Sequence, residues 1–274
     1  MSDIQPLKFH GGKTYLAPKI IELFPEHVHY VEPYFGGGAV LFAKSDQWIE
    51  NHSEVINDIH GELMNFWRVL RSVSMFDEFH RQLLLTPFGS DQWNESLNYA
   101  GRDPVEGAVA FFVRYRQSRQ GLGACFATMS RTRTRRGMNE QVSSWLSAVD
   151  SLPEAHERLS RVVIFNDNAI SVIRKEDDPK TFFYCDPPYI KATRVSQDSY
   201  EHEMSDQDHQ DLLTMLSMIK GKFLLSGYKH PMYEEAARSH GWRCVEVEID
   251  NKASSQKTKP KRVECLWMNY EVQS

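Results

Sequence analysis

Cysteine is scarce in this chain of 274 residues. There are four, Cys125, Cys185, Cys244 and Cys265, and no two form a Cys-x-x-Cys pair. That spacing excludes a cysteine-rich zinc module and a disulfide framework, and it fits a reducing compartment, so a cytoplasmic location is expected. Long apolar runs are missing as well, so no bilayer-spanning segment is expected, and Met1-Ser2-Asp3-Ile4-Gln5 does not open like a signal peptide. The chain has no His-Glu-x-x-His and no Gly-x-Ser-x-Gly; Lys13-Thr14 follows Gly11-Gly12 but lacks the upstream glycine of a phosphate-binding loop. Zincin, hydrolase-elbow and P-loop chemistries drop out, and no metal is expected. The eleven histidines form no constellation, and His209 and His230 read as surface or hydrogen-bonded structural residues.

What is present is ordinary in amount and uneven in placement. With 41% hydrophobic and 25% charged residues in 31.8 kDa, the chain suits one large α/β domain or a domain carrying an insertion. The formal net charge is −5. Seven arginines without an acid lie between Arg114 and Arg136, and five cations without an acid lie between Asn251 and Val263. These twelve leave 20 cations against 37 acids in the remainder, a balance of −17. Basic stretches on an acidic body place positive potential where a polyanion could dock, although two solvated loops give the same composition.

Apolar patterning alternates strands with helices, as in a mainly parallel sheet. The expected strands are Val28–Val31, Glu54–Ile56, Val162–Phe165, Phe182–Cys185, Lys222–Ser226, Arg243–Ile249 and Glu264–Tyr270. Asp206–Ile219 has helical spacing, with Leu212, Leu213, Leu216 and Ile219 on one face. No helix separates the last two strands, which predicts an antiparallel hairpin with the second basic stretch at its tip. From Leu63 to Ser160 the rhythm stops. There Leu63, Phe66, Trp67 and Leu70 mark one helix face, and Val142, Trp145, Leu146 and Val149 another. The expected fold is therefore α/β, a Rossmann-like sheet, mostly parallel with an antiparallel terminal hairpin, plus an inserted mainly helical domain. Its expected boundaries are 1–62 and 161–274 for the sheet domain and 63–160 for the insertion.

Two segments carry chemistry. In Glu32-Pro33-Tyr34-Phe35-Gly36-Gly37-Gly38 a strand runs into glycines and then a helix, which lets backbone approach a ligand at the sheet's carboxyl edge. The dinucleotide fingerprint is not met, since Leu41 stands three residues after Gly38. Asn57-Asp58 follows about 20 residues on, where an acid can accept hydrogen bonds from ribose hydroxyls. A tight turn is the alternative to a nucleoside-bearing cofactor. The second segment is Phe182-Phe183-Tyr184-Cys185-Asp186-Pro187-Pro188-Tyr189. An apolar strand delivers an acid, two prolines that end the ladder and an aromatic ring. An adenine amine is a poor nucleophile because its lone pair is delocalised. A carboxylate and a proline-fixed carbonyl can accept its two hydrogens, and the ring can stack on a base swung out of the helix. A strand-ending turn with a buried tyrosine is the plainer reading.

Taken together, these segments resemble the Dam-like DNA adenine methyltransferases of α-type motif order. The run begins at Lys8-Phe9-His10-Gly11-Gly12-Lys13 and passes through Glu32–Gly38, Asn57-Asp58, Asn166-Asp167 and Asp186–Tyr189 to Leu224-Leu225-Ser226-Gly227-Tyr228. The resemblance implies S-adenosyl-L-methionine as cofactor, with Phe9 lining its pocket and Lys13 near its carboxylate. It also implies Asp58 at its ribose and Asp167 by its adenine, with Glu32, Gly36 and Gly38 in the same cofactor motif. It further implies that Asp186, Pro187, Pro188 and Tyr189 hold a flipped adenine of double-stranded DNA, and that the insertion recognises the target. Arg116, Arg119, Arg131, Arg133 and Arg135 are the candidate DNA contacts. Phe9 stands where Trp or Tyr is commoner, Tyr34-Phe35 replaces the commoner Phe-x, and the insertion matches no assignable recognition segment. A restriction endonuclease can accompany such an enzyme, but no residue here singles one out. Methylation of cytosine's 4-amino group, or a silent DNA-binding protein that keeps the cofactor fold, are the alternatives.

Overall fold

The computed structural model describes residues 5–9, 11–127, 132–193, 202–249 and 262–272. Its strands are β1 (His29–Glu32), β2 (Ser53–Ile56), β3 (Thr134–Arg135), β4 (Met138–Asn139), β5 (Val162–Ile164), β6 (Thr181–Cys185), β7 (Lys222–Gly227), β8 (Arg243–Ile249) and β9 (Arg262–Met268). The chain separates into two compact units of three segments each. Residues 1–22, 36–50 and 60–166 form unit 1, and 23–35, 51–59 and 167–274 form unit 2.

Unit 2 is built on the strand order β2-β1-β6-β7-β9-β8. β2, β1, β6 and β7 run parallel, so their carboxyl ends lie along one edge; β9 is antiparallel to both β7 and β8. All five residues of β6 are buried, Thr181 with its hydroxyl donating to the Glu176 carbonyl and Phe182–Cys185 as the largely apolar run that a strand covered on both faces requires. Burying Phe182 or Phe183 contributes roughly 1.5–3 kcal/mol each. β8 is an edge strand with Glu246 and Glu248 exposed, and such charges discourage pairing with another chain. The final hairpin has the expected antiparallel pairing and the expected first strand, but its second strand starts and stops two residues early. Its end has a local cause: Asn269 Oδ1 accepts from the Phe223 amide (3.0 Å) and its Nδ2 donates to the Gly221 carbonyl (3.0 Å), so a side chain takes the next ladder position. The helix Asp206–Met218 begins at a reciprocal cap between Ser205 and Asp208 and buries Leu212, Leu213 and Leu216 as expected. His209 is buried, with Nδ1 2.9 Å from the Tyr233 hydroxyl, and His230 caps Pro231–His240; both are structural.

Unit 1 is mainly helical. Gly61–Arg71 buries Leu63, Phe66, Trp67 and Leu70 completely, and Phe66 stacks on Phe111 and Phe112 of Pro104–Arg116. That second helix starts with Asp103 capping two amides and Pro104 in the first turn. In Glu140–Asp150 the apolar face differs from expectation. Leu146 is 39% exposed while Ser143, Trp145, Ala148 and Val149 are buried. The small residues Ser143 and Ala148 fill buried positions, and Trp145 Nε1 reaches the Thr86 carbonyl at 3.1 Å. The basic stretch contains a hairpin that apolar periodicity did not reveal. β3 and β4 pair through Arg136 (φ 57°) and Gly137 (φ 75°), two consecutive positive-φ residues that match a two-residue hairpin turn.

Packing divides the chain differently from the expected 1–62 and 161–274 around 63–160, because residues 1–22 and 36–50 go with the insertion. Arg116 Nε donates to the Pro6 carbonyl (2.8 Å) and its Nη2 to that of Gln5, while Phe9 lies against His60, Phe111 and Tyr115.

Candidate active site

In unit 2 the candidate groups collect along the carboxyl edge of the parallel strands. β1 ends at Glu32, buried at 2% exposure, which accepts a hydrogen bond from the Tyr30 hydroxyl. β2 ends in Asn57 and Asp58. Asn57 is fully buried, and its amide nitrogen donates to the carbonyls of Pro33 (3.0 Å) and Asp167 (3.0 Å) while its oxygen accepts from the Asp167 amide (2.9 Å). One side chain thus fixes the backbone of Asp167 next to the segment carrying Asp58, which is half-buried. Asp167 is exposed, its carboxylate accepting from the Asn168 amide. Sequence reasoning had noted Asn57 only as Asp58's neighbour; the structure makes it the tie between two predicted cofactor residues.

β6 delivers the acid. Asp186 is half-buried just beyond the strand, Pro187 is buried and Tyr189 is 8% exposed. Burial first, and then the charge of Asp186, push the Cys185 thiol and the Tyr184 and Tyr189 phenols far above their usual ranges. Tyr189 is therefore a neutral phenol, unsuited to act as a base. Its ring meets Tyr228 edge to face at 4.6 Å, and its hydroxyl donates to the buried carboxylate of Glu264 and lies 3.3 Å from Ser226 Oγ. Glu264 was missed in the sequence because it sits on an apolar strand, without a motif around it. These residues offer a carboxylate, a main-chain proline carbonyl and two aromatic rings at the ends of the neighbouring strands β6 and β7, enough to hold a flat heterocycle by its amine and its face. Among the described residues no cluster of His, Cys, Asp and Glu could hold a metal.

In unit 1 the glycine turn fits close approach of a ligand. Gly36 and Gly38 take φ of 51° and 70°, a region costly for other residues, and Gly38 opens the helix Ala39–Ala43. Phe9 seats on this turn, and a Cβ at Gly37 would stand 3.1 Å from that of Phe9. Trp67 Nε1 donates to the Gly36 carbonyl at 3.1 Å, leaving the turn little freedom. Lys13 is 6% exposed, its ammonium 3.4 Å from the Gly11 carbonyl.

The arginines separate into two kinds. Arg116 is 8% exposed and spends its guanidinium on the Pro6 and Gln5 carbonyls, which corrects its assignment as a DNA contact. Burial lowers its pKa to about 10, so it is still charged at neutral pH. Arg119, Arg133 and Arg135 are exposed; Arg133 flanks β3, Arg135 lies in it, and the Arg133 guanidinium is 3.7 Å from Glu140. Arg131 lies outside the described residues, as do 251–261 of the second basic stretch.

A model of the D12 class N6 adenine-specific DNA methyltransferases matches residues 9–250. The chain belongs to that family. It is an adenine-specific DNA methyltransferase, and its substrate is DNA. It is 27% identical over 281 residues to "Type II methyltransferase M1.LlaDCHI" of Lactococcus lactis subsp. cremoris, covering 96% of this chain and 94% of that one. It is 25% identical to "DNA N-6-adenine-methyltransferase" of Escherichia phage P1, covering 86% of this chain but 31% of the phage protein. To "Type II methyltransferase M.MjaIII" of Methanocaldococcus jannaschii it is 25% identical, with 75% and 77% covered. Among solved structures, the rRNA methyltransferase aviRa from Streptomyces viridochromogenes aligns at a TM-score of 0.36 with 10% identity, over 93% of this chain and 83% of that one. That likeness is too weak to carry an argument.

Proposed function

We propose that the methyl donor is S-adenosyl-L-methionine and that the acceptor is an adenine swung out of the DNA duplex, its 6-amino group held by Asp186 and the Pro187 carbonyl and its ring by Tyr189. The observation that carries this reading is Asp186 at the carboxyl end of a central, fully buried strand, with the neutral phenol of Tyr189 set edge to face against the ring of Tyr228. Parallel sheets bind ligands outside that edge. Groups in each unit have the chemistry the donor calls for: in unit 1 the positive-φ glycines admit a ligand to the backbone and the ammonium of Lys13 suits a carboxylate, and in unit 2 Asp58 can accept from ribose hydroxyls. Once bound, it supplies an electrophilic methyl on a sulfonium. Asp186 and the Pro187 carbonyl accept the amine's two hydrogens and turn the nitrogen toward tetrahedral geometry. The amine gains positive charge as it attacks, so the Asp186 carboxylate favours the transition state over the ground state, and the methylated nitrogen then loses its extra proton to water. Holding the amine in line with the methyl supplies much of the remaining acceleration. Pro188 has no amide hydrogen and helps end the ladder so that Tyr189 turns into place.

The exposed Arg119 and the hairpin with Arg133 and Arg135 supply cations for phosphate or base edges. Arginine's planar fork suits both.

The test is Asp186→Ala in a methyl-transfer assay on DNA from a methylation-free host. Turnover falls on the order of 10²-fold or more, while donor affinity by calorimetry holds. A variant with near-normal turnover overturns the reading. Lys13→Ala and Asp58→Ala weaken donor binding in the same titration, and unchanged affinity in both returns the glycine segment to a plain tight turn.

A further inference from the structure

Three side chains from the ends of neighbouring strands meet in unit 2. Tyr189 follows β6, Ser226 lies in β7 and Glu264 in β9. Ser226 is paired with Leu266, and Glu264, two residues from Leu266, shares its face of the sheet. Both hydroxyls reach the same carboxylate oxygen, Glu264 Oε1, and Ser226 Oγ is 3.3 Å from the Tyr189 oxygen. Glu264 is 1% exposed and Ser226 fully buried.

A buried carboxylate is an expensive way to fill this space. Removing it from water costs several kcal/mol, and an apolar side chain of similar volume usually serves stability as well or better. What an apolar residue cannot do is fix a hydroxyl. The Tyr189 and Ser226 hydroxyls both donate to this carboxylate, so the phenol hydrogen points to the core. That pins the rotation of the ring and draws electron density onto it, strengthening its negative face. A more negative face holds a stacked base better once the amine develops positive charge.

We propose that Glu264, assisted by Ser226, is a positioning residue for the methyl transfer, acting through the Tyr189 hydroxyl to fix and polarise the ring that holds the target base. The proposal rests on the reading of Tyr189 as part of the base-holding motif. Its test is single-turnover methyl transfer at saturating S-adenosyl-L-methionine and duplex DNA, with Glu264→Gln, Tyr189→Phe and the double variant. Glu264→Gln keeps the size and an acceptor but loses the charge; Tyr189→Phe keeps the ring and loses the hydroxyl. Each is expected to slow the chemical step about ten-fold or more, the worth of one hydrogen bond to a charged group. Donor affinity is expected to be unchanged, and the double variant no slower than Tyr189→Phe alone. A wild-type rate in Glu264→Gln, or losses that multiply in the double variant, overturns the proposal. So does a rate loss that merely follows a fall in melting temperature or donor binding. Should Glu264→Gln fail to fold, Tyr189→Phe still decides, because a wild-type rate there means the hydroxyl is not used. Asp186→Ala separates the two readings. If it is inactive while Glu264→Gln and Tyr189→Phe are normal, only the positioning role falls; if it is active, the base-holding reading falls with it.

Discussion

Arg116→Ala distinguishes a structural arginine from a nucleic-acid contact within a stretch whose composition suggests only the second. The wild-type guanidinium donates to two main-chain carbonyls, at Pro6 and Gln5, more than a hundred residues away in sequence. Alanine leaves both acceptors without that donor, and a buried carbonyl left unsatisfied costs about 1–3 kcal/mol. Relief from burying a cation offsets part of this. The net expectation is a loss of about 2–4 kcal/mol, or a melting temperature lower by roughly 4–16 °C in a chain of this size. The damage should concentrate in residues 5–9, so their amides exchange faster with solvent and, since Phe9 rests on the glycine turn, donor affinity weakens. Arg116→Lys should recover only part of the loss, because a point-like ammonium cannot replace a fork serving two carbonyls. The assays are thermal melting, hydrogen exchange, donor calorimetry and DNA binding across salt concentrations. An unchanged melting temperature, with a salt slope reduced by about 0.9, would refute this reasoning and return Arg116 to the phosphate backbone.

Arg133→Ala and Arg135→Ala should behave oppositely, with melting temperatures close to wild type. A phosphate contact shows as a salt slope lower by about 0.9, a base contact as roughly 1–3 kcal/mol less discrimination at one position; neither change in either variant removes the hairpin from DNA binding. Ser205→Ala should cost about 0.5–2 kcal/mol at neutral pH. Asp208 is held below the usual carboxylate range by the Ser205 hydroxyl and amide, so its share of the cap is present at neutral pH and lost as pH falls through that lowered pKa. Melts from neutral to acid pH should therefore converge with wild type, and a constant gap refutes the coupling.

The central strands were legible because a parallel strand covered on both faces must be apolar throughout, and Phe182–Cys185 is. The place of Asp186 just beyond β6 was legible because the prolines after it cannot continue a ladder. Arg116 was misread because counting charges assumes that every arginine faces water. The correcting signal was present in its spacing: Arg116 stands four residues after Phe112 on the buried side of a helix. The β3–β4 hairpin escaped because apolar alternation, the usual mark of a strand, is missing from Thr-Arg-Arg-Gly-Met-Asn; its turn residues were the only cue. Glu264 could not be found by pattern at all, since its meaning depends on two hydroxyls brought to it from β6 and β7. Leu146 shows the limit of spacing alone, for small Ser143 and Ala148 are as able as leucine to mark the packed side.

The interleaved segments of unit 1 have a consequence for inheritance. A target-recognition element bounded at 63 and 160 looks like a cassette that recombination could exchange between relatives. Here such an exchange would leave behind Gln5, Pro6 and Phe9, the partners of Arg116, Phe111 and Tyr115. A recombinant that exchanges residues 63–160 and still folds must carry matched amino-terminal residues with the new insertion. Chimaeras joined only at the insertion's ends should recover their fold when residues 5–9 are restored to the donor's sequence, so the unit that packs as one body is discontinuous in the gene.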